Sequence, residues 1–156
     1  MARKRRGGKQ GLNPDPKHKS MLVTNFVNCL FRQGKKSTGE QIFYTALDTI
    51  KERTGNEGLE VFEKAIDNVK PMVQVRSRRV GGQTYQIPVE VRHDERLALS
   101  IRWLISFAKQ RGEKTMAAKL AGEFIDASTG QGRAIQRREE THRMAEANRA
   151  FAHYRW

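Results

Sequence analysis

The sequence has a single cysteine, Cys29, among 156 residues, so no intramolecular disulfide can form and the chain suits a reducing cytosol. Cys29 falls within an apolar pattern of helical spacing and is predicted to be a small buried side chain. No stretch approaches the ~18 consecutive apolar residues of a membrane-spanning helix. The polar segment LNPDPKHKS follows the basic start, where a secretory signal would have its apolar core. These absences predict a protein without a membrane partner.

Catalytic and metal-binding patterns are also missing. The four histidines share no ligand spacing with one another or with Cys29. There is no nucleophile elbow, and the segment Gly34–Ser37 lacks both the earlier glycine and the preceding strand of a phosphate-binding loop. Glu139 and Glu140 lie among arginines on a polar helical segment, where they are interpreted as solvated charges. We therefore predict that the chain is not an enzyme and uses no cofactor, metal or small-molecule substrate.

Positive charge is abundant and unevenly distributed. Thirty lysines and arginines stand against 17 acidic residues, which gives a formal net charge of +13. Residues 1–19 carry a net +6, and residues 72–92 and 131–156 carry +3 each, whereas the segments between them are nearly neutral. A basic protein whose charge is clustered is typical of nucleic-acid binding. The sequence therefore predicts a polyanionic partner that contacts both termini and one internal segment.

Hydrophobic spacing predicts a mainly α fold, a six-helix, bundle-like domain over residues 20–156. The helices are predicted at about 20–33, 37–53, 57–69, 94–111, 115–127 and 133–150. Between the third and fourth helices, residues 72–92 alternate around a Gly-Gly pair and predict a two-stranded antiparallel β-hairpin. The last helix is polar except for a thin apolar stripe. Residues 1–19 are basic, contain glycine and proline and lack hydrophobic periodicity, so they predict an extended arm that orders on binding.

Two registers of the hairpin are open. A two-residue loop, Gly81–Gly82, pairs Val73 with Glu90. A three-residue loop that adds Gln83 pairs Val73 with Val91. Because directly opposed residues share a face, the longer loop collects the valines on one apolar face, and we prefer it. The other face would then carry Gln74, Arg76, Arg78, Gln86 and Glu90.

Basic and aromatic residues outside the hairpin are further candidates for contacts with a polyanion. Lys35 and Lys36 lie at the corner between the first two helices, beside the free N–H groups of the second helix, which suit phosphate. On these residues alone, two solvated loop lysines are the preferred interpretation. Arg102 lies in the middle of the fourth helix. The chain ends with Tyr154–Trp156, where aromatic rings either stack on nucleic-acid bases or fold back on the core.

Four stretches resemble the bacterial-type family of small-subunit ribosomal protein seven. They are GKKST at Gly34–Thr38, RSRRVGG at Arg76–Gly82, YQIPVEVR at Tyr85–Arg92 and MAEANRAFAHYRW at Met144–Trp156. They occur in the family's order, and the similarity covers essentially the whole chain. Several long matches in sequence are far more specific than one short motif.

The resemblance implies a six-helix domain with a β-ribbon between helices three and four. It implies a primary rRNA-binding protein that binds the 3′ major domain of small-subunit rRNA and nucleates assembly of the subunit head. It also implies a place at the subunit interface near the tRNA exit site. The implied partners are small-subunit rRNA, exit-site tRNA and mRNA, and ribosomal proteins nine and eleven of the small subunit. The implied location is the cytoplasmic ribosome, or the plastid stroma for an organellar member.

The resemblance also assigns residues to these contacts. Asp94 and Glu95, at the start of the fourth helix, suit the helix dipole but reduce the local positive charge. The residues implied to contact rRNA are Arg3, Lys4, Arg5, Arg6, Lys9, Lys35, Lys36, Arg92, Arg102, Arg111 and Lys114. Those implied to contact tRNA or mRNA at the exit site are Arg76, Arg78, Arg79, Gly81, Gly82, Arg143 and Arg149.

Two other functions stay open. A free translational repressor of the protein's own operon mRNA would use the same surface as an rRNA-binding protein. A DNA-binding architectural protein with a β-arm would place a proline wedge at the arm's tip. Here the predicted tip is Gly81–Gly82 and Pro88 lies in the return strand, which argues against DNA. Recognition of RNA through the shape of its backbone predicts an affinity that falls steeply with salt.

Overall fold

The computed structural model describes residues 11–154. Within them it has six α-helices, one β-hairpin and a C-terminal 3₁₀ helix. The elements are α1 (Met21–Leu30), α2 (Lys36–Thr54), α3 (Gly58–Val69), β1 (Val73–Val80), β2 (Gln83–Glu90), α4 (His93–Lys109), α5 (Met116–Ser128), α6 (Arg133–Ala147) and the 3₁₀ helix (Arg149–Tyr154). The predicted mainly helical fold, with an antiparallel hairpin between α3 and α4, is confirmed.

The chain divides within α2 into two units, Met1–Glu40 and Gln41–Trp156. In the first unit, the segment before α1 forms a turn. The buried Asp15 carboxylate accepts a hydrogen bond from the Lys17 amide at 3.1 Å, and the Thr24 hydroxyl donates to the Asn13 carbonyl at 3.0 Å. This part of the predicted extended arm is therefore tied to α1. Residues 1–10, the more basic part of the arm, lie outside the described residues.

The prediction for Cys29 is wrong, because its side chain is exposed on α1. At about 100° per residue, Val23, Phe26, Val27 and Leu30 form one stripe, and these four are buried. Cys29 lies beyond the edge of that stripe. The helix also ends at Leu30, before the predicted position 33, since Gln33 and Gly34 adopt positive φ angles of 56° and 74°.

Three phenylalanines from different helices form the centre of the second unit. Phe43 of α2, Phe62 of α3 and Phe124 of α5 are fully buried. Their ring centroids are 5.0 Å apart for Phe43–Phe62, 5.1 Å for Phe62–Phe124 and 6.4 Å for Phe43–Phe124, all in edge-to-face geometry. Edge-to-face contact matches the positive ring edge to the negative ring face. The apolar stripes predicted for these helices therefore meet at one aromatic cluster.

A buried carboxylate, Glu123 of α5, joins the ends of α4 and α6. Its side chain is 1% exposed. One oxygen accepts a hydrogen bond from the Ala134 amide at the start of α6 (3.2 Å), and the other accepts from Arg111 Nη1 (3.1 Å). Arg111 also donates to Asp126 at 2.6 Å and to Glu113 at 2.9 Å. These contacts fix the loops on both sides of α5.

Gly122 makes room for this network. A Cβ atom at this position would lie 2.7 Å from Arg111 Nη2, closer than van der Waals contact allows, so the guanidinium would have to shift if any other residue stood here. Burial disfavours the charged form of Arg111, but hydrogen bonds to Asp126, Glu113 and Glu123 outweigh this effect and raise its pKa. The hydrogen bond from Arg111 lowers the pKa of Glu113. Arg111 and Glu113 are therefore both charged at neutral pH.

The preferred three-residue hairpin loop is wrong. Val73 pairs with Glu90, Val75 with Pro88 and Val80 with Gln83, so the loop is Gly81–Gly82. Both glycines have positive φ, 58° and 88°, as a type I′ turn requires. This turn has the twist of the strands it connects, and it outweighs the advantage of collecting the valines on one face.

The faces of the hairpin are consequently mixed. Gln86 and Glu90 share a face with Val73 and Val75, whereas Tyr85, Ile87 and Val89 share the face of Gln74, Arg76 and Arg78. Each face of the hairpin therefore carries apolar as well as polar side chains. Ile87 is fully buried, and the hairpin packs against α6 and the 3₁₀ helix.

The buried pair of Glu123 and Arg111 yields a prediction about stability. Glu123→Ala is expected to lower the free energy of unfolding by about 3 kcal/mol, because it leaves Arg111 partly buried with fewer partners and the Ala134 amide without an acceptor. Glu113→Ala is the matched control and should cost less than about 1 kcal/mol, since Glu113 is more accessible to water. Urea unfolding of both variants measures the difference. Equal losses would show that Glu123 has no special role.

Candidate nucleic-acid interface

The base of the hairpin is fixed to α6. The Met72 amide donates to His142 Nε2 at 3.0 Å, and the Val91 amide donates to the Met72 carbonyl at 2.9 Å. One turn earlier on α6, Arg138 donates to the carbonyl of Asn68 at the end of α3. The segment that leads into β1 is therefore held by two side chains of α6.

The middle of the hairpin is tied to α4. Arg76 Nη2 lies 2.7 Å and 2.9 Å from the two carboxylate oxygens of Glu95, in the first turn of α4. Both side chains are about half exposed, so the pair is worth at most about 1 kcal/mol. The sequence assigned Arg76 to the exit site as an open cation, but in this structure its charge already has an acidic partner.

The outer part of the hairpin contacts the C-terminal 3₁₀ helix. Tyr85 stacks on Tyr154 with 5.3 Å between ring centroids and 27° between ring planes, and it contacts Phe151 at 5.4 Å. Arg78 lies directly opposite Tyr85 in the strand pairing. Beyond this pair lie Arg79 and the Gly81–Gly82 turn, which are exposed. Neighbouring elements therefore support the hairpin along most of its length, and only its short basic end extends beyond them.

The other predicted residues of the second unit occupy three places. Arg143 and Arg149 are exposed near the end of α6 and in the 3₁₀ helix, and Arg149 pairs with Glu146 at 3.2 Å. Arg92 directly precedes α4, and Arg102 lies on its exposed side. Lys114 is exposed between α4 and α5. The structure thus groups Arg143 and Arg149 with the hairpin, since α6 and the 3₁₀ helix both pack against it.

Arg111 has a different environment from the other predicted cations. It was placed near the end of a longer fourth helix, but α4 ends at Lys109. Arg111 therefore falls in the following loop, where its guanidinium turns inward to Glu113, Glu123 and Asp126. An arginine with three carboxylate partners adds no net positive charge to the surface. We assign Arg111 to the support of α5 and α6 instead.

The predicted residues of the first unit are less fully described. Lys35 and Lys36 are exposed at the start of α2, and Lys36 pairs with Glu40 at 3.5 Å. The remaining predicted contacts, Arg3, Lys4, Arg5, Arg6 and Lys9, lie outside the described residues.

Sequence reasoning missed the side chains that support the hairpin. Arg138 was interpreted only as a partner of nearby glutamates, and His142 only as a failed metal ligand. Asn68, whose amide donates to the carbonyls of Ala127 (3.0 Å) and Ser128 (3.1 Å), was not considered. Their partners lie far away in the sequence, so no local pattern marks them. Only the narrow apolar stripe of α6 indicated that this helix packs against another element.

In residues 11–154, none of the helices combines the length and the apolar character needed to cross a bilayer. The same part of the chain has no cluster of three or more His, Cys, Asp or Glu residues arranged to hold a metal ion.

His142 yields a prediction about pH. It accepts the Met72 amide only while Nε2 is unprotonated, and burial, with a smaller contribution from Arg138, lowers its pKa below the usual 6.5. A lowered pKa means that folding favours the neutral form of His142. The contribution of the His142 hydrogen bond to stability is therefore present above pH ~6.5 and is lost as the pH falls through the folded-state pKa. We expect the Met72 amide signal in NMR spectra to follow the titration of His142.

The His142→Gln variant is the control for this pH dependence. Glutamine retains a hydrogen-bond acceptor but does not titrate, so the variant should be less sensitive to acidification over the same range. A folded-state pKa of His142 above 6.5 would contradict the interpretation.

Comparison with known proteins identifies the family of the chain. Residues 2–149 match the family described as Ribosomal protein S7p/S5e. Small ribosomal subunit protein uS7 of Anaeromyxobacter sp. (strain Fw109-5) is 58% identical over 156 residues, which is all of both chains. The proteins of the same name from Vibrio vulnificus (strain YJ016) and Myxococcus xanthus (strain DK1622) are 58% and 57% identical, again over the full length of both chains. The chain belongs to the ribosomal protein S7p/S5e family, a family of structural ribosomal proteins and not of enzymes.

Proposed function

We propose that this protein is a structural component of the small ribosomal subunit that binds the 3′ major domain of the subunit's rRNA and nucleates assembly of its head. Full-length similarity to proteins named for the small subunit supports this proposal. The observation that carries it is the placement of exposed cations on supported elements. These cations include Arg79 at the end of the hairpin, Arg143 on α6 and Arg102 on α4.

RNA is the polyanion that this surface suits best. A-form RNA hides its base edges in a deep, narrow groove, so proteins recognise the backbone and irregular junctions by shape. Exposed arginines on fixed elements suit that task, because their guanidinium groups form forked hydrogen bonds with phosphate. Arg92, Arg102 and Lys114, on and beside α4, are the proposed rRNA contacts of the second unit. Lys35 and Lys36 are the proposed contacts at the start of α2.

The hairpin and the C-terminal segment are proposed to face the tRNA exit site. They form a separate basic surface, since the hairpin packs against α6 and the 3₁₀ helix. Arg78, Arg79, Arg143 and Arg149 would contact exit-site tRNA and mRNA there. Ribosomal proteins nine and eleven of the small subunit are the proposed protein neighbours, and the ribosome is the proposed location. The relatives described above give no support to a plastid source.

Competition binding separates RNA from DNA as the partner. At a fixed salt concentration, a fragment of small-subunit head rRNA should displace a labelled copy of itself far better than duplex DNA of equal length. The hairpin's turn is Gly81–Gly82, with no apolar or proline wedge to open a DNA base step. The rRNA affinity should also fall steeply as salt rises, because bound phosphates release counterions. Equal competition by DNA would contradict the ribosomal assignment.

Shortening the hairpin separates the two proposed surfaces. Replacing Arg79–Thr84 with Gly-Gly keeps a two-residue turn between the paired residues Arg78 and Tyr85 and removes only the exposed end. This variant should bind the rRNA fragment like the unaltered protein but lose crosslinks to exit-site tRNA and mRNA in reconstituted subunits.

Arg102→Ala is the reciprocal control for this experiment. It should weaken rRNA binding and reduce the slope of log affinity against log salt by about 1, as the loss of one phosphate contact does. It should leave the exit-site crosslinks unchanged. If the shortened variant lost binding to the rRNA fragment, the proposal that rRNA and the exit-site RNAs contact different surfaces would be wrong.

A further inference from the structure

We infer that Tyr85, Phe151 and Tyr154 form an aromatic clasp that positions the basic end of the hairpin for single-stranded RNA. The inference rests on the proposed exit-site role of the hairpin. It adds a role for three uncharged residues, of which the sequence had indicated only Tyr154 as a candidate for contact with nucleic acid. The clasp residues are all half-buried, so they are neither part of the phenylalanine core nor freely exposed rings.

The ring geometry is that of packed side chains. Tyr85 lies 5.3 Å from Tyr154 at 27° and 5.4 Å from Phe151 at 47° between ring planes. Both distances fall in the range of attractive aromatic pairs. The Tyr85 hydroxyl also donates to Gln83 Oε1 at 2.7 Å, near the turn. Tyr85 therefore links the 3₁₀ helix to Gln83, the first residue after the turn.

The position of the clasp along the strands determines how much of the hairpin is unsupported. Three residue steps separate Arg78 from Gly81 at the turn, which is about 10 Å at ~3.3 Å per residue. Without the clasp, support would end at the pair formed by Arg76 and the buried Ile87, and about 17 Å would project. An isolated two-stranded ribbon is at best marginally stable in water, so the longer projection would lose its fixed direction.

The clasp affects RNA binding through Arg79. This side chain is exposed just beyond the clasped pair. A strand that is already ordered does not lose conformational freedom when RNA binds, and pre-organisation of this kind raises affinity without a new contact. Tyr85 is thus a positioning residue, and the groups that contact phosphate are arginines.

The test uses the full chain and a short, mixed-sequence single-stranded RNA as the probe, with binding measured by fluorescence anisotropy at fixed low salt. Tyr85→Ala and Phe151→Ala should each weaken binding roughly tenfold, because the hairpin end must then be ordered on binding. Tyr85→Phe keeps the ring and should bind like the unaltered protein. Hydrogen exchange of the Ser77–Gln86 amides should accelerate in both alanine variants, while the exchange of α3 and α5 should not change.

A double-mutant cycle distinguishes positioning from direct stacking on a base. If Tyr85 acts through Arg79, Tyr85→Ala should have little further effect in an Arg79→Ala background. A full, additive loss in that background, without faster exchange of the hairpin, would mean that Tyr85 contacts RNA directly and would overturn the inference. Unchanged affinity of Tyr85→Ala would also overturn the inference, but it would leave the proposed exit-site role intact. Failure of the unaltered protein to bind the probe would overturn the proposed exit-site role together with the inference.

Discussion

The buried carboxylate of Glu123 is the constraint on which the functional half of the molecule depends. A carboxylate that is 1% exposed is stable only if its oxygens are satisfied. Here one oxygen is bound by the first turn of α6 and the other by Arg111 from the loop after α4. Arg111 precedes α5 in the sequence and Ala134 follows it, so a single side chain ties the start of α6 to the loop after α4. The glycine at position 122 is a consequence of the same constraint, because any Cβ there would collide with the guanidinium.

The direction of α6 then determines the direction of the hairpin. α6 has few apolar residues to bury, and much of its contact with the rest of the fold is polar. Arg138 binds the last turn of α3, and His142 binds the residue that leads into β1. Farther out, Arg76 reaches α4 and Tyr85 reaches the 3₁₀ helix. Because these contacts lie at successive distances along the strands, the ribbon is supported from its base almost to its turn. A two-stranded ribbon gains from its neighbours the stability that it lacks alone.

The sequence alone was sufficient for the helices and for the place of the hairpin. Helical periodicity and the Gly81–Gly82 pair are local signals, because they do not depend on contacts with distant parts of the chain. Three predictions differ from the structure, each for its own physical reason: the hairpin register, the burial of Cys29 and the open environment of Arg111. The register was judged as if one face of the ribbon were open to water, whereas Ile87 is fully buried. Cys29 lies just outside the stripe that α1 buries. Arg111 looked like an open cation because two of its carboxylates, Glu123 and Asp126, come from the next helix and are 12 and 15 residues away.

The burial of a carboxylate, more than its presence, decides which arginine is available to RNA. Arg76 and Arg149 both have acidic partners, yet Glu95 and Glu146 are exposed. Such pairs contribute at most about 1 kcal/mol and weaken with salt. If Arg76 and Arg149 bind RNA as predicted, a phosphate would therefore replace the glutamate at little cost. Arg111 is not suited to this exchange, because moving it would remove one of the two partners of the buried Glu123 carboxylate, and breaking a buried pair costs several kcal/mol. The arginines predicted to contact RNA thus divide into Arg76 and Arg149, which can change partners, and Arg111, which supports the framework.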